Sequence, residues 1–227
     1  MNDKPYVICH MTVSLDGKVT GNFLSSEEGT EAAEVYYEMN RKYDADGFAC
    51  GRVTMESSFT GGWYPDLSRY AGSTADHEDY VAETDTDYYA VAFDRKGRLG
   101  WKNAKISDPD PGYDNAHIIE VLEEAEDAYL AYLRETGISY IFAYSIEETL
   151  IKLKKLFGIE TLMLEGGAVI NSSFLKADAV DEVSIVIVPV TGEPQDAPLF
   201  GDGCIRSFKW KSSETVNGIV CLKYTRE

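Results

Sequence analysis

Apolar and polar residues follow two alternating periods along this chain. Residues 5–13 (PYVICHMTV) are dense in β-branched and aromatic side chains and predict a strand. The next apolar set, Ala32, Val35, Tyr36, Met39 and Tyr43, recurs at steps of three and four, the spacing of one buried helical stripe. Ser25 with Glu28 supplies the expected capping box at its start. Residues 46–51 (DGFACG) read as a short buried strand running into a short helix over 52–58. Residues 60–87 sustain no period and read as an irregular excursion, with a short helix near 76–81. Residues 88–93 (YYAVAF) predict a third strand, followed by the turn Asp94-Arg95-Lys96-Gly97.

From His117 onward the pattern is regular: strand 117–121, helix 123–134 stopped by Gly137, strand 138–143. A helix over 145–157 is opened by Ser145 with Glu148, striped by Ile146, Leu150, Leu153 and Phe157, and ended by Gly158. A strand over 159–164, a turn at Glu165-Gly166-Gly167, a helix over 168–176 and a strand over 183–190 follow. Two closing strands flank Asn217-Gly218, a two-residue hairpin signal. Strands alternating with helices imply an α/β fold with a largely parallel sheet, and the hairpin makes that sheet mixed. The expectation is a single domain over residues 1–227.

Composition narrows the function. The net charge of −18 removes the basic patch that nucleic acid or an anionic membrane surface would need. No apolar run reaches the roughly 18 residues of a membrane span, and residues 1–5 (MNDKP) enter a strand instead of a secretory leader. Cys9, Cys50, Cys204 and Cys221 have no CxxC spacing and read as buried reduced thiols, so a cytoplasmic setting is expected. His10, His77 and His117 show no ligand spacing, and no metal site is expected.

An acidic chain that binds an anion must do so with local donors. Glu165-Gly166-Gly167-Ala168 lies between a strand and a helix, where backbone N–H groups and the helix start can cradle a diphosphate. A glycine turn that only packs helix on strand accounts for the same residues. Gly51-Arg52-Val53-Thr54 forms a second such junction, with Arg52 and Thr54 as donors to phosphate. A capped short helix with a salt-bridged arginine is the alternative. In open α/β sheets a dinucleotide can bridge two neighbouring loops at the carboxyl ends of strands. Ser14-Leu15-Asp16-Gly17-Lys18 follows the first strand and offers a loop that closes over a bound ring. Asp16 is the candidate catalytic group there, orienting substrate or a proton-carrying water, although a plain turn also explains it. Arg95 or Lys96 is placed to hold a ribose 2′-phosphate or to be solvated.

In order, the motifs SLDGK, GRVTMES, FDRKGRLGW, EGGAVINSSFL and DAVDEVSIVIVPV resemble the reductase domain at the C-terminal end of the bifunctional riboflavin-biosynthesis deaminase/reductase. The resemblance covers nearly the whole chain, and GRVTMES is also similar to the GRxTxES segment of dihydrofolate reductase. It implies a dihydrofolate-reductase-like three-layer α/β/α fold, usually dimeric, with NADPH as cofactor. It further implies that Gly51, Arg52, Thr54, Gly166, Gly167, Ala168 and Val169 contact the cofactor, and that Thr12, Ser14 and Val19 line the nicotinamide region. The implied reaction reduces the ribosyl group of a phosphoribosylated aminopyrimidine to ribityl.

Two departures stand out. The H-x-E…P-C-x-x-C zinc signature of the deaminase is absent. Where these reductases carry TVxxDDPxLTxR, with its substrate contacts, this chain reads Thr54 through Tyr64 as TMESSFTGGWY. Dihydrofolate reduction, with Glu31 or Glu34 gripping a pteridine, a reductase of another heterocycle or carbonyl compound, and a non-catalytic nucleotide-binding module stay open as alternatives. The closing segment carries Ile205, Phe208, Trp210, Val216, Ile219, Val220, Cys221, Leu222 and Tyr224. That is more apolar surface than an exposed edge hairpin tolerates, and a homodimer is expected.

Overall fold

The computed structural model describes residues 3–108, 112–201 and 204–226. Met1 and Asn2, part of the opening run read above, lie outside the described residues. The fold is α/β, with nine strands in a mixed sheet among the described residues. The chain groups into two compact units, Met1–Pro5 with Asp46–Leu162 and Tyr6–Ala45 with Met163–Glu227.

In the first unit, β2 (Gly47–Gly51), β3 (Tyr89–Phe93), β4 (His117–Leu122) and β5 (Ser139–Phe142) pair in parallel, in the order β5-β4-β3-β2. Its helices are α2 (Arg52–Met55), α3 (Asp127–Thr136) and α4 (Ile146–Phe157). In the second unit, β1 (Tyr6–Ser14) pairs in parallel with β7 (Glu182–Val188). Strand β9 (Ile219–Arg226) runs antiparallel to β7 and to β8 (Phe208–Val216). Helices α1 (Glu27–Lys42) and α5 (Ala168–Lys176) belong to the second unit, and β6 (Thr161–Leu164) has residues in both.

The local codes work where a side chain can finish a helix. Ser145 Oγ accepts from the Glu148 N–H at 3.1 Å, and Glu148 reaches back to the Tyr144 N–H at 3.0 Å. Gly137 and Gly158 take φ of 77° and 74° at the ends of α3 and α4. The β8–β9 hairpin turns on Asn217 and Gly218, both at positive φ, as a two-residue I′-type turn requires.

Four expectations shift. The cap of α1 is Ser26, whose Oγ accepts from the Gly29 N–H at 2.9 Å, because Ser25 ends a 3-10 turn, Asn22–Ser25. Helix α3 begins at Asp127, and the Glu123 and Glu124 N–H groups before it both donate to the Arg95 carbonyl at 3.0 Å. Residues 76–81 form no helix; Tyr80 exchanges two 2.9 Å backbone bonds with Tyr140, and the short turn is Leu67–Tyr70. Helix α2 ends at Met55 and widens into a π turn, Glu56–Thr60, closed by Gly61 at φ 58°.

Ala32, Val35 and Met39 of α1 pack on Val186 and Val188 of β7 and on Ile219 and Cys221 of β9. Each such side chain contributes about 1.5–3 kcal/mol when removed from water. Tyr36, on the same stripe, is half-buried because its ring stacks on His10 at 4.2 Å. His10 is itself buried between Ser184 Oγ and the Tyr36 carbonyl, and burial pushes its pKa down to about 4. Cys9 and Cys221 are buried thiols, while Cys204 is half-buried.

Strand β4 is buried throughout, including Glu120. Its Oε1 accepts from Trp101 Nε1 and from the Tyr129 hydroxyl, while Oε2 has no hydrogen-bond partner among the described residues. Burial, then the nearby Asp94 carboxylate, holds Glu120 well above the usual carboxyl range. Asp94 is raised as well, by burial, but receives the Arg98 and Leu99 N–H groups, which favour its charged form. A folded value above the unfolded one contributes stability that is complete below the ordinary carboxyl range and is lost as pH rises toward the folded value. Glu120→Gln, which keeps the shape without the ionisation, should therefore become progressively more stable relative to the wild type as pH rises above the ordinary carboxyl range. Urea unfolding across that range reads the difference, and a difference independent of pH would refute the assignment.

Candidate active site

Loop 14–18 and the start of α5, both in the second unit, carry most of the candidate residues. Ser14 ends β1 and is buried; its Oγ donates to Asp16 Oδ1 at 2.7 Å and accepts from the Lys18 N–H at 2.9 Å. The Ser14 N–H donates to the Lys18 carbonyl at 3.0 Å, so the loop closes on itself, and Gly17 supplies the φ of 78° that the closure needs. Asp16 is exposed. The Ser14 hydroxyl and then the Gly192 N–H, which reaches Oδ1 at 2.7 Å, hold its carboxyl below the usual range. Oδ1 is thus engaged twice, and any contact with a substrate falls to Oδ2. Thr12 is half-buried on β1, whereas Val19 is buried and its N–H donates to the Ala197 carbonyl at 2.8 Å.

Segment 190–201 straps this loop down. Leu15 N–H reaches the Val190 carbonyl at 2.9 Å, Lys18 Nζ the Asp196 carbonyl at 2.9 Å, and Leu199 N–H the Gly17 carbonyl at 3.0 Å. The strap returns to α5: Ser172 Oγ accepts from the Gly201 N–H at 2.8 Å, and Asn171 Nδ2 donates to the Leu199 carbonyl at 3.4 Å. Gly192, Asp196, Asn171 and Ser172 did not emerge from the sequence pattern. The available signal was the break of period after residue 190, with Gly192, Pro194 and Pro198 close together.

Strand β6 ends into Glu165, which is buried and accepts from Asn40 Nδ2 of α1. Gly166 has φ 95°, and a Cβ there would stand 3.0 Å from the Met11 methyl. The Gly166–Gly167 peptide is cis. Gly167 is the N-cap of α5 in extended backbone, with no side-chain cap. The first intrahelical bond runs from the Asn171 N–H to the Gly167 carbonyl, so the N–H groups of Ala168, Val169 and Ile170 look out of the helix start. Val169 is 83% exposed at that start, which puts it on the solvent side of the junction.

In the first unit, Gly51 ends β2 and caps α2, also in extended backbone. Arg52 donates to Glu56 Oε2 at 2.6 Å, a half-buried i,i+4 pair, and Thr54 is half-buried too. Arg95 pairs with Glu123 at 2.6 Å and Lys96 with Glu124 at 3.0 Å, so both cations after β3 meet acids at the end of β4. Among the described residues, no three His, Cys, Asp or Glu side chains cluster as a metal site would, and no helix is long and apolar enough to cross a membrane.

A family model described as the RibD C-terminal domain matches residues 5–222. The chain is 29% identical over 203 residues to the 2,5-diamino-6-ribosylamino-4(3H)-pyrimidinone 5′-phosphate reductase of Methanothermobacter thermautotrophicus, covering 88% of this chain and 85% of that protein. It is 28% identical over 214 residues to the protein of the same name from Aquifex aeolicus, covering 88% and 84%. Among solved structures, RibD of Acinetobacter baumannii superposes with a TM-score of 0.69 at 18% identity; the match covers 100% of this chain, which spans 59% of that one. The riboflavin biosynthesis reductase Rib7 of Saccharomyces cerevisiae superposes at 0.63 and 16% identity, covering 99% and 91%. At such identities the two structures share the fold.

The geometry at Gly166 is testable without any ligand. Gly166→Ala forces a Cβ onto a positive-φ backbone and against Met11, and should lower stability by about 1–3 kcal/mol in chemical denaturation. A variant as stable as the wild type would contradict the conformation described.

Proposed function

Because the chain belongs to the RibD C-terminal domain family, we propose that it is an NADPH-dependent pyrimidine reductase of riboflavin biosynthesis. Its substrate is 2,5-diamino-6-ribosylamino-4(3H)-pyrimidinone 5′-phosphate or the 5-amino-6-(5-phosphoribosylamino)uracil related to it, and the ribosyl group is reduced to ribityl. The observation that carries this reading is the family match across residues 5–222, supported by relatives named as reductases of that pyrimidinone. When bound, the nicotinamide supplies the hydride.

This chain's own residues bind, orient and exclude water. Gly166, Gly167 and the outward N–H groups of Ala168 and Val169 are donors for a diphosphate, and Glu165, held by Asn40, fixes the turn that presents them. Gly51, Arg52 and Thr54 are proposed as further phosphate contacts; Arg52 must then leave or share Glu56. Arg95 is proposed for the 2′-phosphate, in exchange for Glu123. Thr12, Ser14 and Val19 border the nicotinamide region, where buried Val19 contributes apolar surface. Asp16 orients the substrate through Oδ2 while Oδ1 keeps the loop in shape.

The enzyme is proposed to be cytoplasmic and homodimeric. In the second unit, Ile205 is 95% exposed and Trp210 65%, beside a groove of ≈450 Å3 lined by Leu175, Ile185, Phe200, Phe208 and Tyr224. A second copy would bury this apolar surface with a self-complementary interface.

Two measurements test these proposals. NADPH oxidation should follow addition of the phosphoribosylated aminopyrimidine and not of dihydrofolate; turnover of dihydrofolate alone, or of neither, would replace the reading with a folate reductase or a non-catalytic binder. Light scattering should give twice the 25.2 kDa chain mass. A clean monomer would end the dimer proposal.

A further inference from the structure

The segment that stands in place of the expected paired aspartates and arginine builds a pocket of its own in the first unit. Phe59, Thr60 and Trp63 line a cavity of ≈180 Å3 together with Trp101, Lys102 and Ser107. That volume equals about six waters at roughly 30 Å3 each, room for one six-membered ring with a single substituent. The pocket lies toward the amino ends of its strands. Phe59 packs 5.8 Å from Phe48, the second residue of β2, and 5.9 Å from Tyr113, which precedes β4. Gly51 and Asp94, by contrast, lie at the carboxyl ends of β2 and β3. The pocket is therefore separate from the junction proposed to hold the cofactor in this unit.

Its chemistry runs against the rest of the chain. The net charge is −18, yet among the described residues no carboxylate lines the pocket and two lysines do, Lys102 and Lys105. Lys105 is committed to Asp85 and, at 3.0 Å, to Asn115. Lys102 forms no ion pair among the described residues; its ammonium sits 5.7 Å from the Trp63 ring centroid. A cation near an indole, in a cavity whose lining also includes Phe59, Trp101, Thr60 and Ser107, matches a ligand with a flat apolar body and one negative group.

We propose that this pocket binds a small monocyclic aromatic anion, its ring against Trp63 and its carboxylate or phosphate on Lys102. The site is independent of the reductase reading, and its test does not use activity. Two of the chain's three tryptophans line the pocket, and Trp210→Phe removes the third. In that background, benzoate and phenyl phosphate are titrated while tryptophan emission is followed, with benzamide as the uncharged analogue of benzoate.

A saturable change with at least one of the two anions is expected, with benzamide weaker by roughly tenfold or more, as loss of a charge-assisted contact implies. Lys102→Ala should weaken the anion by a similar factor, and Lys102→Arg, which keeps the charge, should restore it. Lys102 is exposed, so both variants are expected to keep the wild-type thermal midpoint. No saturable change with either anion would overturn the proposal. So would equal binding of benzamide and benzoate, or Lys102→Ala binding that matches the wild type. A response to phenyl phosphate alone would assign the site to aryl phosphates, and a response to benzoate alone to aryl carboxylates.

Discussion

A chain with net charge −18 repels an anionic ligand at long range, so a diphosphate must be met by donors whose charge cannot be titrated away or cancelled by a neighbouring acid. The side-chain cations after β2 and β3 show the difficulty, since Arg52, Arg95 and Lys96 each already face a glutamate. Backbone N–H groups at a helix start carry no such competitor. Helix α5 begins on a glycine without a side-chain cap, so its first-turn donors are left for something else to satisfy. Beside that opening, Asn40 donates to Glu165, and Met11 packs against Gly166.

The same unit fixes loop 14–18 with hydrogen bonds instead of bulk. Ser14, Asp16 and Gly192 form a short chain of donors and acceptors, and the 190–201 strap adds backbone bonds at Leu15, Val19 and Leu199. A loop held at so many points presents its exposed carboxylate in one place, which suits an orienting group. In the first unit the corresponding rigidity comes from a buried polar nest, with Trp101 and Tyr129 on Glu120 and the 98–99 backbone on Asp94. Such a nest holds the chain that follows β3 in a single course.

Elements closed by their own residues were legible in the sequence. Helix α4 has its cap, stripe and terminal glycine within fourteen residues, and α5 starts and stops where its flanking turn chemistry requires. Where a partner far along the chain decides, the pattern was silent. Before α3 the Glu123 and Glu124 N–H groups meet the Arg95 carbonyl, and residues 76–81 form no helix where Tyr80 pairs with Tyr140. Of the candidate site, the glycine junctions and the SLDGK loop were visible as residue types at strand ends. The double use of Asp16 Oδ1 was not, since Gly192 is 176 positions away. The Arg52–Glu56 pair sits at the i,i+4 spacing behind the salt-bridged alternative, whereas the Arg95–Glu123 pair, 28 positions apart, did not show, because surface charge in an acidic chain offers many distant partners.

The account rests on the claim that the start of α5 holds the cofactor's diphosphate through its backbone. Calorimetric titration of NADPH into the wild type and Gly167→Val tests it most directly, because Gly167 has the extended φ and ψ that any residue adopts. The account predicts micromolar binding, about −8 kcal/mol, for the wild type. It predicts a loss of at least roughly tenfold, about 1.4 kcal/mol, when the valine side chain occupies the diphosphate's place. Equal NADPH affinity in the two proteins would contradict it.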